Sequence, residues 1–299
     1  DNTGLQTASQ NSVTTIAIQY QAKKFMTPIS RTTPSNMQNT TFGITTFNRP
    51  RLLRQLIESI RKRYPHVAIL VADNGDRHAD LPDDVQVIHL PFDCGLSKAR
   101  NALIDHLKTD YLLVLEDDFL FNSETDVEPL RRVLEANHDV GVAGGAIRGS
   151  DGRVTCYALD IEVCRDTMRV REATHRKEVT PCGVPYRICD MVWNFALFRR
   201  EMLREHRWVD ALKIGEHCPY FYEVKLGGRW RVASCSLPKI YHVPDRRPAD
   251  YLRYRRRPTR CNGRGKASRL LRRRVVRMRN TQTIVSGPAR CDREYGRRI

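Results

Sequence analysis

Tyr111-Leu112-Leu113-Val114-Leu115-Glu116-Asp117-Asp118-Phe119 runs an apolar pentapeptide straight into three carboxylates. The apolar part reads as a strand, and in open α/β sheets ligands gather at the carboxyl ends of strands, where this triplet falls. In extended chain, positions i and i+2 point the same way, which would aim Glu116 and Asp118 at one point and Asp117 at another. Hard oxygen ligands in that pattern suit Mg²⁺ or Mn²⁺, ions that also bind a diphosphate and offset its charge. A solvated acidic turn is the other reading of the same residues.

Outward from this stretch, short apolar runs alternate with amphipathic ones, as in β-α-β units around a mainly parallel sheet. Phe42–Thr46 reads as a first strand. Pro50 suits the first turn of a helix, with Leu52, Leu53, Leu56, Ile57 and Ile60 on one face. Val67–Ala72 and Val85–Leu90 are further strands, the first ending at the turn sequence Asp73-Asn74-Gly75. Leu96, Ala99, Leu103 and Leu107 make the apolar face of the helix that precedes Tyr111. Asp73, Gly95–Asn101 and the acidic triplet thus all fall at strand ends or a helix N-terminus. Beyond them Val140–Ile147 reads as a buried strand, Phe198–His206 as a helix and Trp230–Cys235 as a late strand after Gly227 and Gly228.

The 299 residues carry a formal charge of +17, which resembles that of a nucleic-acid binder until its distribution is read. Tyr251–Ile299 holds 16 Arg and 1 Lys against Asp292 and Glu294, or +15 of the total, leaving about +2 on the first 250 residues. The expected organisation is a Ser/Thr/Gln/Asn-rich leader over 1–40, a catalytic domain over 41–250 and a basic tail over 251–299, helical in part around Leu270–Met278. Because the motifs end near Pro248, the tail is expected to be dispensable for chemistry. Its Arg clusters fit RNA, an anionic membrane, an acidic acceptor or plain solvation. Membrane-surface or protein contact is the expected role, with no specific nucleic acid, since no RNA-binding motif accompanies them.

Nine scattered cysteines without a C-x-x-C pair exclude a finger-type zinc site, and the odd count leaves one thiol over if pairing stays within the chain. The longest apolar runs, Ala68–Ala72 and Tyr111–Leu115, are far shorter than the roughly 20 residues of a spanning helix. The abrupt start at Asp1-Asn2-Thr3-Gly4 is consistent with an anchor or targeting segment upstream. Localisation is then expected at Golgi or secretory membranes, and in the cytoplasm otherwise. Asn39-Thr40-Thr41 fits the N-glycosylation triplet, a weak signal on its own.

Several ordered segments together carry a likeness. Gly43-Ile44-Thr45-Thr46-Phe47-Asn48-Arg49, Leu56–Arg61 with Tyr64-Pro65, Val71-Ala72-Asp73-Asn74, Gly95-Leu96-Ser97-Lys98-Ala99-Arg100-Asn101 and Glu116-Asp117-Asp118 resemble, in order, a first strand with its nucleotide loop, the following helix, a base-recognising strand end, a nucleotide-side helix and a DXD metal motif. This is the pattern of inverting family-2 type glycosyltransferases, and the sequence looks most like the animal β-1,4-N-acetylgalactosaminyltransferases that make gangliosides and related glycans. The resemblance runs from about Phe42 to Pro248. It implies a GT-A (nucleotide-diphospho-sugar transferase) fold, a UDP-sugar donor, a glycan acceptor, and Mn²⁺ or Mg²⁺.

The resemblance also assigns residues. Thr45, Thr46, Arg49, Asp73, Asn74, Gly95, Leu96, Arg100 and Asp117 would contact the donor. Val192–Arg200 resembles a stretch lining the acceptor and sugar pocket, which brings in Trp193 and Asn194. Arg231–Cys235 followed by Tyr241-His242-Val243 resembles the region that supplies a metal-binding His. The metal set is then Glu116, Asp118 and His242, the alternative for His242 being a surface or core histidine.

One segment departs from the family. A carboxylate often follows the family's His by a residue or two, whereas Gly215-Glu216-His217-Cys218-Pro219-Tyr220 has Cys and Pro there. An inverting transfer needs a base beside the acceptor hydroxyl. Glu216 is the nearest carboxylate and the candidate base, Glu223 the next, and Glu216 reads equally as a cap of the helix starting near Pro219. Two rivals remain open. A nucleotidyltransferase would show a glycine-rich phosphate loop that Gly43-Ile44-Thr45-Thr46 lacks. A non-catalytic GT-A-like protein holding nucleic acid or membrane through its tail would explain the missing carboxylate.

Overall fold

A computed structural model describes residues 37–164, 167–244 and 254. The leader up to residue 36, the Arg clusters, the Leu270–Met278 helix, Cys261 and Cys291 lie outside the described residues. The chain begins β1 (Thr40–Thr46), α1 (Pro50–Arg63), β2 (Ala68–Asp73), β3 (Val85–His89), α2 (Leu96–His106), β4 (Tyr111–Glu116) and β5 (Phe119–Leu120). It continues α3 (Glu128–Ala136), β6 (Val140–Arg148), β7 (Val154–Thr155), β8 (Leu159–Cys164), β9 (Thr167–Glu172), β10 (Glu178–Val179) and β11 (Tyr186–Cys189). It closes with β12 (Ala196–Arg199), α4 (Arg200–Glu205), α5 (His217–Gly227) and β13 (Arg231–His242).

Among the described residues the main sheet has the order β10-β11-β13-β6-β12-β4-β1-β2-β3, with β5 on β13 and β7 on β6, and β8–β9 form a separate hairpin. The half that carries the acidic triplet is parallel, β4-β1-β2-β3. Past it, β12 runs antiparallel between β4 and β6. The sheet is therefore mixed, with helices packed on it. This architecture is the GT-A fold.

The register explains the clustering of polar residues. Thr46 pairs with Asp73 and Thr45 with Glu116, so three strands end at one level. Their stems are buried on both faces, as parallel strands covered by helices must be. Helix α1 starts with Pro50 at its first position and ends in Arg61, Lys62 and Arg63, charges that favour the negative end of its dipole. Leu53, Leu56, Ile57 and Ile60 are its buried face, each contributing about 1.5–3 kcal/mol at most.

One expected element changes type. Phe198–His206 is not a helix throughout: Ala196–Arg199 forms β12, and only Arg200–Glu205 is helical. Ala196, Leu197 and Phe198 are all buried, and a run buried on both sides has no period by which to tell strand from helix. The amide of Asn39 is engaged with Asp110, donating from Nδ2 at 2.6 Å and accepting the Asp110 N–H at 3.0 Å.

Candidate functional site

A cleft opens at the carboxyl end of the parallel strands. Thr45, Thr46 and Arg49 from the end of β1, Asn74 after β2, Gly95 and Leu96 at the start of α2, and Glu116 and Asp117 at the end of β4 line it. Gly95 has φ +92°, and a Cβ there would lie 2.6 Å from the Lys213 Cα, so both conformation and space demand glycine. The Asn74 amide spans Thr46 and Gly95, accepting the Gly95 N–H at 3.1 Å and donating to the Thr46 carbonyl at 2.7 Å. The Gly95 and Leu96 N–H groups at the start of α2 are taken by Asn74 and by the Lys213 carbonyl at 2.9 Å, while the positive end of the helix dipole still favours anionic groups in the cleft.

The acidic triplet turns where alternation would keep it straight. Residues 117 and 118 form a turn, so the two-residue rule does not reach Asp118, and Glu116 and Asp118 have different partners. Glu116 Oε1 accepts a very short hydrogen bond from Asn194 Nδ2 and lies 3.9 Å from Arg100. Asp117 accepts from Thr46 Oγ1 at 2.8 Å and from Arg49 Nη1 at 2.6 Å. Arg49 Nη1 also reaches Asp118 Oδ2 at 2.9 Å, and His242 Nε2 approaches the same oxygen at 3.5 Å. Pairing of Phe119 with His242 across β5 and β13 brings that histidine in.

Electrostatics separate the two aspartates. Burial pushes the Asp117 carboxyl up to about 6 against the pull of Arg49. Burial acts on Asp118 too, but the His242 hydrogen bond and the Arg49 charge outweigh it and hold that carboxyl down at about 2. Asp118 Oδ1 is buried without a hydrogen-bond partner among the described residues. An ionised, half-unsatisfied carboxylate beside an imidazole fits a hard divalent cation.

Behind the cleft, Arg100 of α2 is 1% exposed and acts as a hub. Its Nη1 donates to Glu216 Oε1 at 2.5 Å and its Nη2 to Asn194 Oδ1 at 3.2 Å. Burial raises the Glu216 carboxyl, but the Arg100 guanidinium and the His217 hydrogen bond outweigh it and hold the group well below the usual carboxylate range. Glu216 makes no side-chain cap on α5. Trp193 stays 45% exposed next to Asn194, and Phe195 follows with φ +73°, a strained value for a bulky residue that bends the chain into β12.

Not every expected donor residue lines the cleft. Asp73 is 3% exposed and occupied, accepting the Gly75 N–H at 2.9 Å and meeting His78 Nδ1 at 2.8 Å. With His89 it forms a trio whose ligand atoms lie within 4.8 Å of one another; no sequence spacing announces it. Arg100 acts from the second layer described above. The cleft also uses Phe47, inside the first motif but not assigned a role there, and residues that the motifs do not mark: Asp93, Lys213, Ile214 and Tyr254. Lys213 Nζ bonds Asp93 at 2.6 Å. Tyr254 lies beyond the expected boundary at 250, so one residue of the expected tail lines the cleft. Its ring packs 5.2 Å from Phe47 and 5.5 Å from Phe92.

The family model of glycosyl transferase family 2 matches residues 41–207. The chain is 32% identical over 211 residues to mouse beta-1,4 N-acetylgalactosaminyltransferase 1, covering 68% of this chain and 38% of that protein. Mouse beta-1,4 N-acetylgalactosaminyltransferase 2 is 33% identical over 211 residues, covering 70% and 40% respectively. The chain thus spans about two fifths of the length of these relatives. A crystal structure of GalNAc-T7 with UDP, GalNAc and Mn²⁺ is similar in fold, with a TM-score of 0.51 at 15% identity over 72% of this chain and 47% of that one.

Proposed function

The chain belongs to glycosyl transferase family 2, and from that premise we propose that it transfers a hexosyl or N-acetylhexosaminyl group from a UDP-sugar to a glycan hydroxyl, with inversion and with Mn²⁺ or Mg²⁺. The observation that carries this reading is the chain of contacts from the cleft wall inward: Arg49 and Asp117 line the cleft, Arg49 bridges Asp117 to Asp118, and His242 meets Asp118 behind them. The names of the relatives support an N-acetylgalactosaminyl donor, and the neighbour solved with UDP and Mn²⁺ supports the donor and metal class.

In this reading Asp118 and His242 would hold the cation, and Glu116, turned to Asn194, would reach it only by leaving that partner. The bound cation would neutralise the donor diphosphate and stabilise the leaving nucleoside diphosphate. Arg49 fixes Asp117 and Asp118 in place and adds positive charge to the same corner. Thr45, Thr46, Asn74, Gly95 and Leu96 would receive the nucleotide, with Phe47 and Tyr254 offering ring surface to the base. Asp73, 3% exposed and bound to His78, would act from behind that wall. Trp193 and Asn194 would face the sugar and acceptor, on the side where Arg100 and Glu216 form a rigid pair.

A panel of UDP-sugars with glycan acceptors, with and without Mn²⁺, tests the proposal. The account expects metal-dependent transfer from one donor and a product whose anomeric configuration by NMR is opposite to the donor's. Metal-independent transfer or retained configuration would overturn it. UDP binding without transfer to any acceptor would leave a non-catalytic GT-A-like protein as the better account.

A further inference from the structure

The proposed transfer leaves its proton acceptor unidentified, and the following rests on that proposal. Carboxylates near the acceptor side are all engaged. Glu116 accepts from Asn194, Asp117 and Asp118 from Arg49, and Glu216 from Arg100. Glu223 sits 8% exposed on α5, almost two turns beyond Glu216. Cys218 and Pro219 offer no carboxylate in the intervening turn.

His217 is placed differently. Its Nε2 is buried and has no hydrogen-bond partner among the described residues. Its Nδ1 lies 3.1 Å from Glu216 Oε1. Arg100 Nη1 is also 3.1 Å from Nδ1, but that nitrogen is committed to Glu216 Oε1 at 2.5 Å. A proton on Nδ1 directed at Glu216 leaves the Nε2 lone pair available, the arrangement by which a carboxylate orients a histidine base. The ring is flanked by Trp193 at 5.5 Å and Phe221 at 6.3 Å. Tyr157 lies 5.3 Å from Trp193, so the exposed indole and the tyrosine form an aromatic platform at the histidine. His217 connects to Glu116 at the cleft only indirectly, through Arg100 and then Asn194.

We propose that His217, oriented by Glu216, is the general base of the transfer, and that the Trp193–Tyr157 platform seats the acceptor sugar above it. The acceptor O–H proton passes to His217 Nε2 while its oxygen bonds the anomeric carbon. The bond from that carbon to the diphosphate oxygen breaks, and its electron pair leaves with the nucleoside diphosphate. The proton is later lost to water. Among the described residues, the charged groups in contact with the imidazole include Glu216, from the residue before α5, and Arg100 from α2; the Trp193 and Phe221 rings also pack against it.

The test compares the full chain with His217→Gln and His217→Ala, reading Mn²⁺–UDP affinity, transfer rate and its pH profile. Both variants should bind Mn²⁺–UDP within about threefold of the parent and lose roughly 10²–10⁴-fold in kcat, the usual contribution of a general base. The acid limb of the parent's kcat profile should vanish, and added imidazole should restore part of the rate to His217→Ala. A His217→Gln variant that keeps near-parental kcat and the same acid limb overturns this inference while the transferase reading stands. A parent that binds no UDP with any metal overturns both.

Discussion

Arg100 Nη1 donates to Glu216 Oε1 across 2.5 Å, joining α2 to the residue before α5, with both side chains at least nine-tenths buried. Removing one partner of such a pair strands the other charge, at a cost of about 3–5 kcal/mol. Glu216→Gln should therefore lower the thermal midpoint near neutral pH. The folded-state proton affinity of Glu216 is depressed, so its stabilisation is present above the ordinary carboxylate range and is lost as pH falls below about 4. The gap between the parent and variant melting curves should narrow progressively as pH falls below about 4; a gap independent of pH would contradict the ion-pair account.

Tyr254 gives the second prediction. Its ring lines the cleft with Phe47, and stacking on a base is worth about 1–3 kcal/mol. Tyr254→Ala should weaken UDP binding by roughly 5- to 150-fold, and truncation after Pro248 should do at least as much. Titration calorimetry on both variants checks this, and unchanged affinity would return the whole tail to a role outside the site.

A third prediction concerns the turn into α2. Gly95→Ala places a Cβ against the Lys213 backbone in a conformation that L side chains rarely adopt. The cost should be about 1–3 kcal/mol, with weakened UDP binding, because the cleft wall must move. A variant with parental melting and UDP affinity would show that the close approach is not needed.

How much of this was legible beforehand follows from the physics of each residue. The parallel half of the sheet was readable because buried strands alternating with amphipathic helices leave strong patterns, and Thr45, Thr46, Arg49, Asn74, Gly95, Leu96, Glu116 and Asp117 do line one cleft. Ala196–Arg199 was not, since a short run buried on both faces carries no period. The i/i+2 argument for Glu116 and Asp118 failed because a turn intervenes at Asp117. Partners distant in sequence, such as Arg100 with Glu216 or Tyr254 with Phe47, leave no spacing signal at all. Glu216 read as a lone carboxylate looked like a base; only its neighbour across 116 residues reveals its lowered proton affinity.

The Arg49 bridge yields a fourth expectation. Arg49→Met removes the donor that holds Asp117 and Asp118 together, leaving two buried carboxylates whose mutual repulsion rises with pH. The variant should be less stable than the parent, and its deficit should grow as pH rises through about 6, where Asp117 ionises. Denaturant melts at several pH values check this; a deficit that shrinks with pH would contradict the assignment.

The central claim, that Asp118 and His242 form the cation corner of a nucleotide cleft, is tested most directly by calorimetric titration of UDP into the parent and Asp118→Asn, each with Mn²⁺ and with EDTA. The account predicts binding by the parent that needs Mn²⁺, and a loss on the order of 100-fold or more in the variant, since the diphosphate loses the cation that offsets its charge. Equal UDP affinity for the parent in Mn²⁺ and in EDTA, or parental Mn²⁺-dependent binding by Asp118→Asn, would contradict it.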